Sequence, residues 1–372
     1  MTWDGWLAAT ASQRESAGLT RNLHARSADD RTVDLAGNDY LGLARDQTVR
    51  QAAADAAMTF GGGAGASRLV TGTLDLHVEL EQELADYLGQ PAALVFSSGY
   101  AANLAAVTAL VDRSCHVISD AHIHASLIDA ARLSRAEVTV VPHNDIAAVR
   151  AALGTSTGQR RLVLAESVYS VLGDAAPLTE LAALCARHDA LLVVDEAHGL
   201  GVHGPGLVAR AGLAGHPNVI VTATLSKSLG SQGGAVLSSE ALRDHLINTA
   251  RSFIFDTALA PAPTAAALAA LRILRHGNDL PNRVGARVKS LAAALGVPVP
   301  AGAVLSIPMP SPQAAVAAQA AALAEGIRVG CFRPPSVPDG ISRLRATASA
   351  GIAEEDWQRA TEVLVAVSKE YA

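Results

Sequence analysis

Short apolar runs with no polar face recur along the middle of the chain, and each is followed by a stretch of helical character. Leu191-Leu192-Val193-Val194 is the clearest, and Val219-Ile220-Val221 repeats the pattern. A strand that is apolar on both sides is stable only where both faces are covered, so the alternation predicts an α/β fold with a mainly parallel sheet layered between helices. The pattern places helices at 46–59, 75–89, 100–110, 123–134, 145–153 and 178–189. It places strands at 92–96, 115–119, 137–141, 162–166, 190–195, 218–223 and 234–238, with a glycine loop at 61–66.

The character changes after a helix at 239–250. Pro261 and Pro263 open a long helix to about 275, and the rest reads as a smaller α+β unit. That unit has a strand near 303–308, a helix at 312–325, short strands near 327–331 and 342–346, and a helix at 353–369. Ahead of the alternating region, residues 2–17 read as a helical arm, followed by a short strand around 31–35. With 372 residues the chain exceeds what one core supports. The expected organisation is an N-terminal segment 1–45, a large domain 46–255 and a small C-terminal α+β domain 256–372.

Charge and cysteine usage exclude several classes. A net charge of −6 lacks the basic field that nucleic acid requires, so a small-molecule substrate is expected. Cys115, Cys185 and Cys331 are far apart and read as reduced core thiols, with neither disulfides nor zinc. The first twenty residues have no signal-peptide pattern, and no apolar run reaches the roughly 18 residues of a membrane span. A cytoplasmic enzyme is the expectation.

Lysine is rare here: Lys227, Lys289 and Lys369 stand against 26 arginines. Lys369 is near the terminus and Lys289 sits in a helix beside Arg287, so both are expected to reach water. Lys227 follows an apolar strand and lies in Thr224-Leu225-Ser226-Lys227-Ser228-Leu229-Gly230-Ser231-Gln232-Gly233-Gly234, where small residues let the backbone approach a bound group. An amine that forms Schiff bases must be deprotonated near neutral pH, which a desolvated strand-end site favours. By itself such a lysine is more often an ordinary surface residue, so its companions decide the reading.

The strand at 190–195 ends in Asp195-Glu196-Ala197-His198-Gly199, and ligands of open α/β sheets bind beyond the carboxyl ends of strands. Asp195 there suits a pyridinium nitrogen, which fits pyridoxal 5'-phosphate (PLP), and His198 falls within reach of the same ring's phenolic oxygen. The first four of these residues also make the metal-binding box of a DEAH-box NTPase. That machine needs a phosphate loop containing Gly-Lys, a pair this sequence lacks. Val95-Phe96-Ser97-Ser98-Gly99-Tyr100-Ala101-Ala102-Asn103 supplies a strand, a small turn and a helix start, a setting suited to a phosphate or to an ordinary helix cap. His124, near a helix start, is placed to stack on a planar cofactor, and His122 with His124 lacks the H-E-x-x-H pattern of a zinc site.

Together Asn38-Asp39-Tyr40-Leu41-Gly42-Leu43, Ser97-Ser98-Gly99-Tyr100, His124-Ala125-Ser126, Asp195-Glu196-Ala197-His198-Gly199, Thr224-Leu225-Ser226-Lys227 and Arg343-Leu344-Arg345 resemble the α-oxoamine synthase family. These are PLP enzymes of fold type I, the aspartate-aminotransferase-like fold. The likeness implies that Lys227 carries PLP as a Schiff base and moves the α-proton. It also implies that Asp195 pairs with the ring nitrogen, His198 contacts the phenolate oxygen and His124 stacks on the ring. Gly99, Tyr100 and Thr224 then serve the phosphate, and Ser170 lies near the ring oxygen. Asn38 and Arg21 line the substrate entrance, with Thr20 as the alternative to Arg21. Arg345 takes the amino-acid carboxylate, with Arg333 as a second candidate.

The resemblance further implies a homodimer with its site at the subunit boundary and an acyltransferase reaction that joins an amino acid to an acyl thioester with loss of CO2. Ser226-Lys227-Ser228-Leu229-Gly230-Ser231-Gln232-Gly233-Gly234 and Arg333-Pro334-Pro335-Ser336-Val337-Pro338 favour the branch that condenses L-alanine with pimeloyl-CoA or pimeloyl-acyl carrier protein in biotin biosynthesis. Sister branches, which join glycine or serine to succinyl, acetyl or palmitoyl thioesters, are the alternative.

Overall fold

The computed structural model of the chain describes residues 1–155, 160–277, 279–334 and 336–372. Helix α1 (Trp3–Ser16) and strand β1 (Val33–Leu35) precede helices α2 (Gln47–Phe60) and α3 (Asp75–Leu88). The alternating region follows as β2 (Ala92–Phe96), α4 (Gly99–Thr108), β3 (Cys115–Asp120), α5 (Ala125–Ser134), β4 (Glu137–Val141), α6 (Ile146–Thr155), β5 (Arg160–Glu166), α7 (Leu178–Arg187), β6 (Ala190–Asp195), α8 (Leu207–Arg210), β7 (Val219–Thr224) and β8 (Gly234–Ser238). The remainder comprises α9 (Glu240–Thr249), α10 (Arg251–Ile254), α11 (Pro261–Arg275), α12 (Leu280–Leu295), β9 (Val304–Pro308), α13 (Pro312–Ala324), β10 (Ile327–Phe332), β11 (Arg343–Thr347) and α14 (Glu354–Tyr371).

The doubly apolar strands assemble as their composition requires. A seven-stranded sheet has the order β2-β8-β7-β6-β5-β3-β4, and β8 alone runs against its neighbours. Leu192, Val193 and Val194 at its centre are fully buried on both faces. A second, four-stranded sheet has the order β1-β10-β11-β9, with β1 parallel to β10 and the other pairs antiparallel. The N-terminal segment thus supplies an edge strand to a sheet made otherwise from the end of the chain.

Element edges differ from the sequence expectation by a residue or two, each time for a local reason. Helix α5 starts at Ala125 because His124, in extended conformation, caps it through its own ring nitrogen. Strand β5 starts at Arg160 because that residue pairs with Cys115 on β3. Cys115 and Cys185 are buried free thiols as expected, but Cys331 is only half-buried, on the part of β10 with less cover. Pro335 of the proline-rich stretch lies outside the described residues. No helix among them is long and apolar enough to cross a membrane.

A polar cluster ties the ends of β3 and β4 to the loop after β5. His143 sits between Asp120 (2.9 Å) and Asp174 (2.8 Å), and its ring packs edge-on against Tyr169. Burial disfavours a charged ring, but the hydrogen bonds to Asp120 and Asp174 outweigh it and push His143 up to about 9. A pKa raised on folding stabilises the native state fully below the unfolded value near 6.5, and that contribution disappears as pH climbs through about 9. The melting-temperature gap between the protein and His143→Gln is therefore expected to be widest near about pH 6 and to close above about pH 9. A gap that stays constant over that range would contradict the pairing.

Candidate active site

The carboxyl ends of β5, β6 and β7 form the floor of the site. Glu166 and Asp195 end their strands side by side in register, and Thr224 ends β7. The chain then makes a tight excursion, closed by the Leu225 amide donating to Gly233 (3.0 Å), that presents Lys227. Gly230 in this excursion has φ +58°, and an added Cβ would lie 2.2 Å from the Ala44 nitrogen. Only glycine lets the turn seat against the backbone around residue 44.

Lys227 enters a continuous series of hydrogen bonds. Its Nζ lies 2.8 Å from His198 Nε2, and His198 Nδ1 lies 2.6 Å from the Tyr40 hydroxyl. Tyr40 donates to Asn38 Oδ1 (2.9 Å), which also accepts from Arg345 Nη2 (3.1 Å). Arg345 Nε donates to the Ser170 carbonyl (2.7 Å), and the Ser170 amide donates to Glu166 Oε2 (3.0 Å). Six side chains from separate parts of the sequence are thereby strung from the amine to a buried carboxylate.

Burial, only partly opposed by Asp195 and Glu166, brings the Lys227 amine down to about 8. A substantial neutral fraction exists near physiological pH, as an amine nucleophile needs. His198 is held well below its ordinary value by burial and by the Lys227 and Arg345 charges, so it is a neutral imidazole. Burial and the neighbouring Asp195 push Glu166 up to about 8.

Asp195 is held from the other side. Its Oδ1 accepts from the Ala197 amide (2.8 Å) and its Oδ2 from Asn103 Nδ2 (2.8 Å). Asn103 also donates to Ser126 Oγ (2.8 Å), which lies 2.8 Å from His124 Nδ1. This second series fixes the His124 ring, whose pKa burial lowers, on the same side of the sheet as Asp195. Glu196, the neighbour of Asp195, faces elsewhere. It accepts from Ser167 Oγ and the Val208 amide (both 2.6 Å), is fully buried, and is pushed up to about 7 by burial. It braces the loop into α8 and does not form a metal box.

The start of α4 completes the site. Ser98 caps the helix through the Ala101 amide (3.1 Å), and Thr224 Oγ1 meets Ser226 Oγ (2.7 Å) nearby. A Cβ on Gly99 would lie 3.1 Å from Thr224 Cβ, and one on Gly234 would lie 2.5 Å from Gly99 Cα. The helix N-terminus is thus packed tightly against Thr224 and the start of β8, which brings its free amides beside the Thr224 and Ser226 hydroxyls, a donor set suited to a phosphate. Gly234→Ala is expected to cost about 1–3 kcal/mol of stability by overpacking and to weaken PLP binding about tenfold or more. Thermal melts and cofactor titration measure the two effects, and wild-type affinity would refute this packing.

The structure thus gathers Lys227, His198, Asn38, Arg345, Ser170, Asp195, His124, Gly99 and Thr224 around one strand-end cleft. Three other candidates have side chains whose hydrogen bonds lie outside these two series. The Tyr100 hydroxyl, at the start of α4, donates to Asp129. Arg21 donates to Ser336 Oγ (3.0 Å). Arg333 donates to the carbonyls of Gly18 and Thr20, so its guanidinium fastens the N-terminal arm. Tyr40, Asn103 and Glu166 were not singled out from the sequence. Glu166 carried the same signal as Asp195, a carboxylate closing an apolar strand, and Tyr40 and Asn103 lay inside noted stretches with nothing local to mark them. Among the described residues no group of His, Cys, Asp and Glu is arranged to hold a metal ion.

A depressed lysine amine, a carboxylate ending the neighbouring strand and a helix N-terminus packed against Thr224, on a mostly parallel sheet, define a PLP-dependent transferase of the aminotransferase-like fold. Residues 30–364 match the family described as aminotransferase class I and II. The 8-amino-7-oxononanoate synthase of Mycolicibacterium smegmatis is 53% identical over 97% of this chain and 96% of its own length. A variant serine palmitoyltransferase from S. paucimobilis, solved with a bound PLP-myriocin aldimine, is 30% identical with a TM-score of 0.90, covering 98% of this chain and 97% of that one. The 8-amino-7-oxononanoate synthase of Francisella tularensis is 28% identical with a TM-score of 0.77, covering 92% and 98%. The chain belongs to the aminotransferase class I and II family and, within it, to the 8-amino-7-oxononanoate synthases.

Proposed function

We propose that the chain condenses L-alanine with a pimeloyl thioester, releasing CO2 and the thiol, to form 8-amino-7-oxononanoate for biotin biosynthesis. The observation that carries this reading is the near-full-length similarity to synthases of that name, joined to a lysine whose amine burial brings down to about 8. PLP, bound at Lys227, supplies an aldehyde and an electron-accepting ring.

The chain's own groups supply the rest. Thr224, the Ser98-capped helix start and the Gly99 and Tyr100 amides hold the phosphate end. Asp195, kept in place by Asn103 and Ala197, holds a positive charge on the ring nitrogen by opposite-charge stabilisation. His124 covers one ring face. Arg345 receives the alanine carboxylate in its two-pronged guanidinium and is pre-oriented by Ser170 and Asn38. Lys227, relieved of its proton by burial, takes the α-proton of alanine at Nζ. Arg21 and Asn38 line the entrance for the acyl donor, with Arg333 holding the arm there. The exposed apolar side chains Leu69, Val70 and Phe255 support a homodimer in which a second copy covers them, and a cytoplasmic location belongs to the same proposal. The division into segment 1–45, cofactor domain 46–255 and small domain 256–372 is part of the same proposal.

The test supplies the purified protein with PLP, an amino-acid panel and an acyl-thioester panel, and follows free thiol and CO2. Alanine with pimeloyl-CoA or the pimeloyl carrier protein is expected to give the highest kcat/KM. Faster turnover of serine with palmitoyl-CoA, or of glycine with succinyl- or acetyl-CoA, would move the protein to a sister activity.

A further inference from the structure

The loop after β5 folds back on itself as a short hairpin. Val168 bridges Ala175, the Tyr169 amide donates to the Asp174 carbonyl (2.9 Å), the Gly173 amide to the Tyr169 carbonyl (2.9 Å) and the Ala176 amide to the Ser167 carbonyl (3.2 Å). Ser170 opens the turn at its tip, and its amide takes no part in those bonds. That amide donates instead to Glu166 Oε2 (3.0 Å), at the end of β5. The Ser170 carbonyl accepts from Arg345 Nε (2.7 Å). Neither contact has a second sense, because a backbone N–H and a guanidinium N–H can only donate. Glu166 offers the amide an acceptor oxygen whether its carboxyl is charged or protonated.

One end of this series is anchored in the large sheet. Glu166 is buried and pairs in register with Asp195 on β6, so strand pairing fixes its position. Arg345 comes from β11 of the other sheet. Ser170 is therefore the point at which a group fixed by one sheet meets the guanidinium carried by the other. The second Arg345 contact, Nη2 to Asn38 Oδ1 (3.1 Å), sets the tilt of the fork, and neither contact uses Nη1. Without an acceptor at residue 166 the Ser170 N–H would have to find a new partner. The turn would shift, and the carbonyl against which Arg345 lies would shift with it. We propose that Glu166 is a positioning residue for the amino-acid carboxylate, acting through the Ser170 backbone to hold the Arg345 guanidinium in its receiving orientation. This role rests on the reading above that Arg345 takes that carboxylate, and in it Glu166 acts only through Ser170.

The test measures binding of an amino acid to the PLP-loaded full chain, read from its visible absorption with no acyl donor present. L-Alanine is titrated beside L-alaninamide, which is nearly the same size and lacks the carboxylate charge. The ratio of the two Kd values cancels any effect of residue 166 on the Lys227 amine, which both ligands share. Glu166→Leu is expected to lower the preference for alanine about tenfold. Glu166→Gln keeps an oxygen for the Ser170 N–H, and its preference is expected to stay within about twofold of the wild type. Glu166→Ala, equally without an acceptor, serves if Glu166→Leu folds poorly. Equal weakening of both ligands in the folded variant would mean general damage to the site and would overturn the role. So would an unchanged preference, or a Glu166→Gln as impaired as Glu166→Leu, which would assign the effect to charge.

A double-substitution arm tests the route. Arg345→Lys keeps a cation for the carboxylate and loses the Nε–H that meets Ser170. In that background Glu166→Leu is expected to change the preference by under about twofold. A full tenfold loss there would mean that Glu166 does not act through Arg345. If serine or glycine binds and alanine does not, the same comparison is made with that amino acid and its amide. If no acyl donor is turned over while these titrations read as expected, the functional reading fails and this role stands.

Discussion

Lys227→Ala is expected to leave a folded protein that binds PLP without its lysine-linked visible band and turns over at least about 10²–10⁴ times more slowly. The side chain extends into the site from a turn held by its own backbone bonds, so its truncation leaves the Leu225–Gly233 closure intact. What disappears is the one amine that burial has brought down to about 8. The check is the absorption spectrum after reconstitution, together with borohydride reduction and peptide mapping of the wild-type protein. A retained band, or a label on Lys289 or Lys369, would overturn the assignment. Both of those lysines are exposed and so lack the desolvation that prepares Lys227.

Asp195→Asn is expected to cost about a hundredfold or more in turnover while the melting temperature changes little. An asparagine still accepts the Ala197 amide through its oxygen, so the local fold persists. Its amide nitrogen faces the Asn103 amide, and Asn103 can meet it by turning its own unpartnered Oδ1 inward. The negative charge that would pair with the ring nitrogen is gone, and with it the electrostatic preference for a protonated ring. Steady-state turnover with melts run in parallel decides the matter, and near-normal rates would remove Asp195 from the chemistry.

The large sheet was legible because its strands are apolar on both faces, a composition with few other uses in a chain of this size. Asp195, Lys227 and Thr224 were legible because strand ends are where such sheets bind ligands, and each follows an apolar run directly. Tyr40 was not, because its place in the site comes from His198, 158 residues away, meeting it across the fold. Asn103 reads locally as one more helix residue, and only tertiary packing brings it beneath Asp195. Arg333 shows the opposite limit. A residue type suited to carboxylates sits near the entrance, yet its donors are engaged by two backbone carbonyls of the arm.

The side-by-side register of Glu166 and Asp195 sets how the cleft handles charge. Lys227 favours the ionised form of Glu166, and Glu166 favours the protonated form of Lys227. When the amine becomes neutral, that support vanishes, which favours the protonated form of the carboxyl beside Asp195. The amine and the carboxyl therefore titrate as a pair, so a change at either one is felt across the cleft.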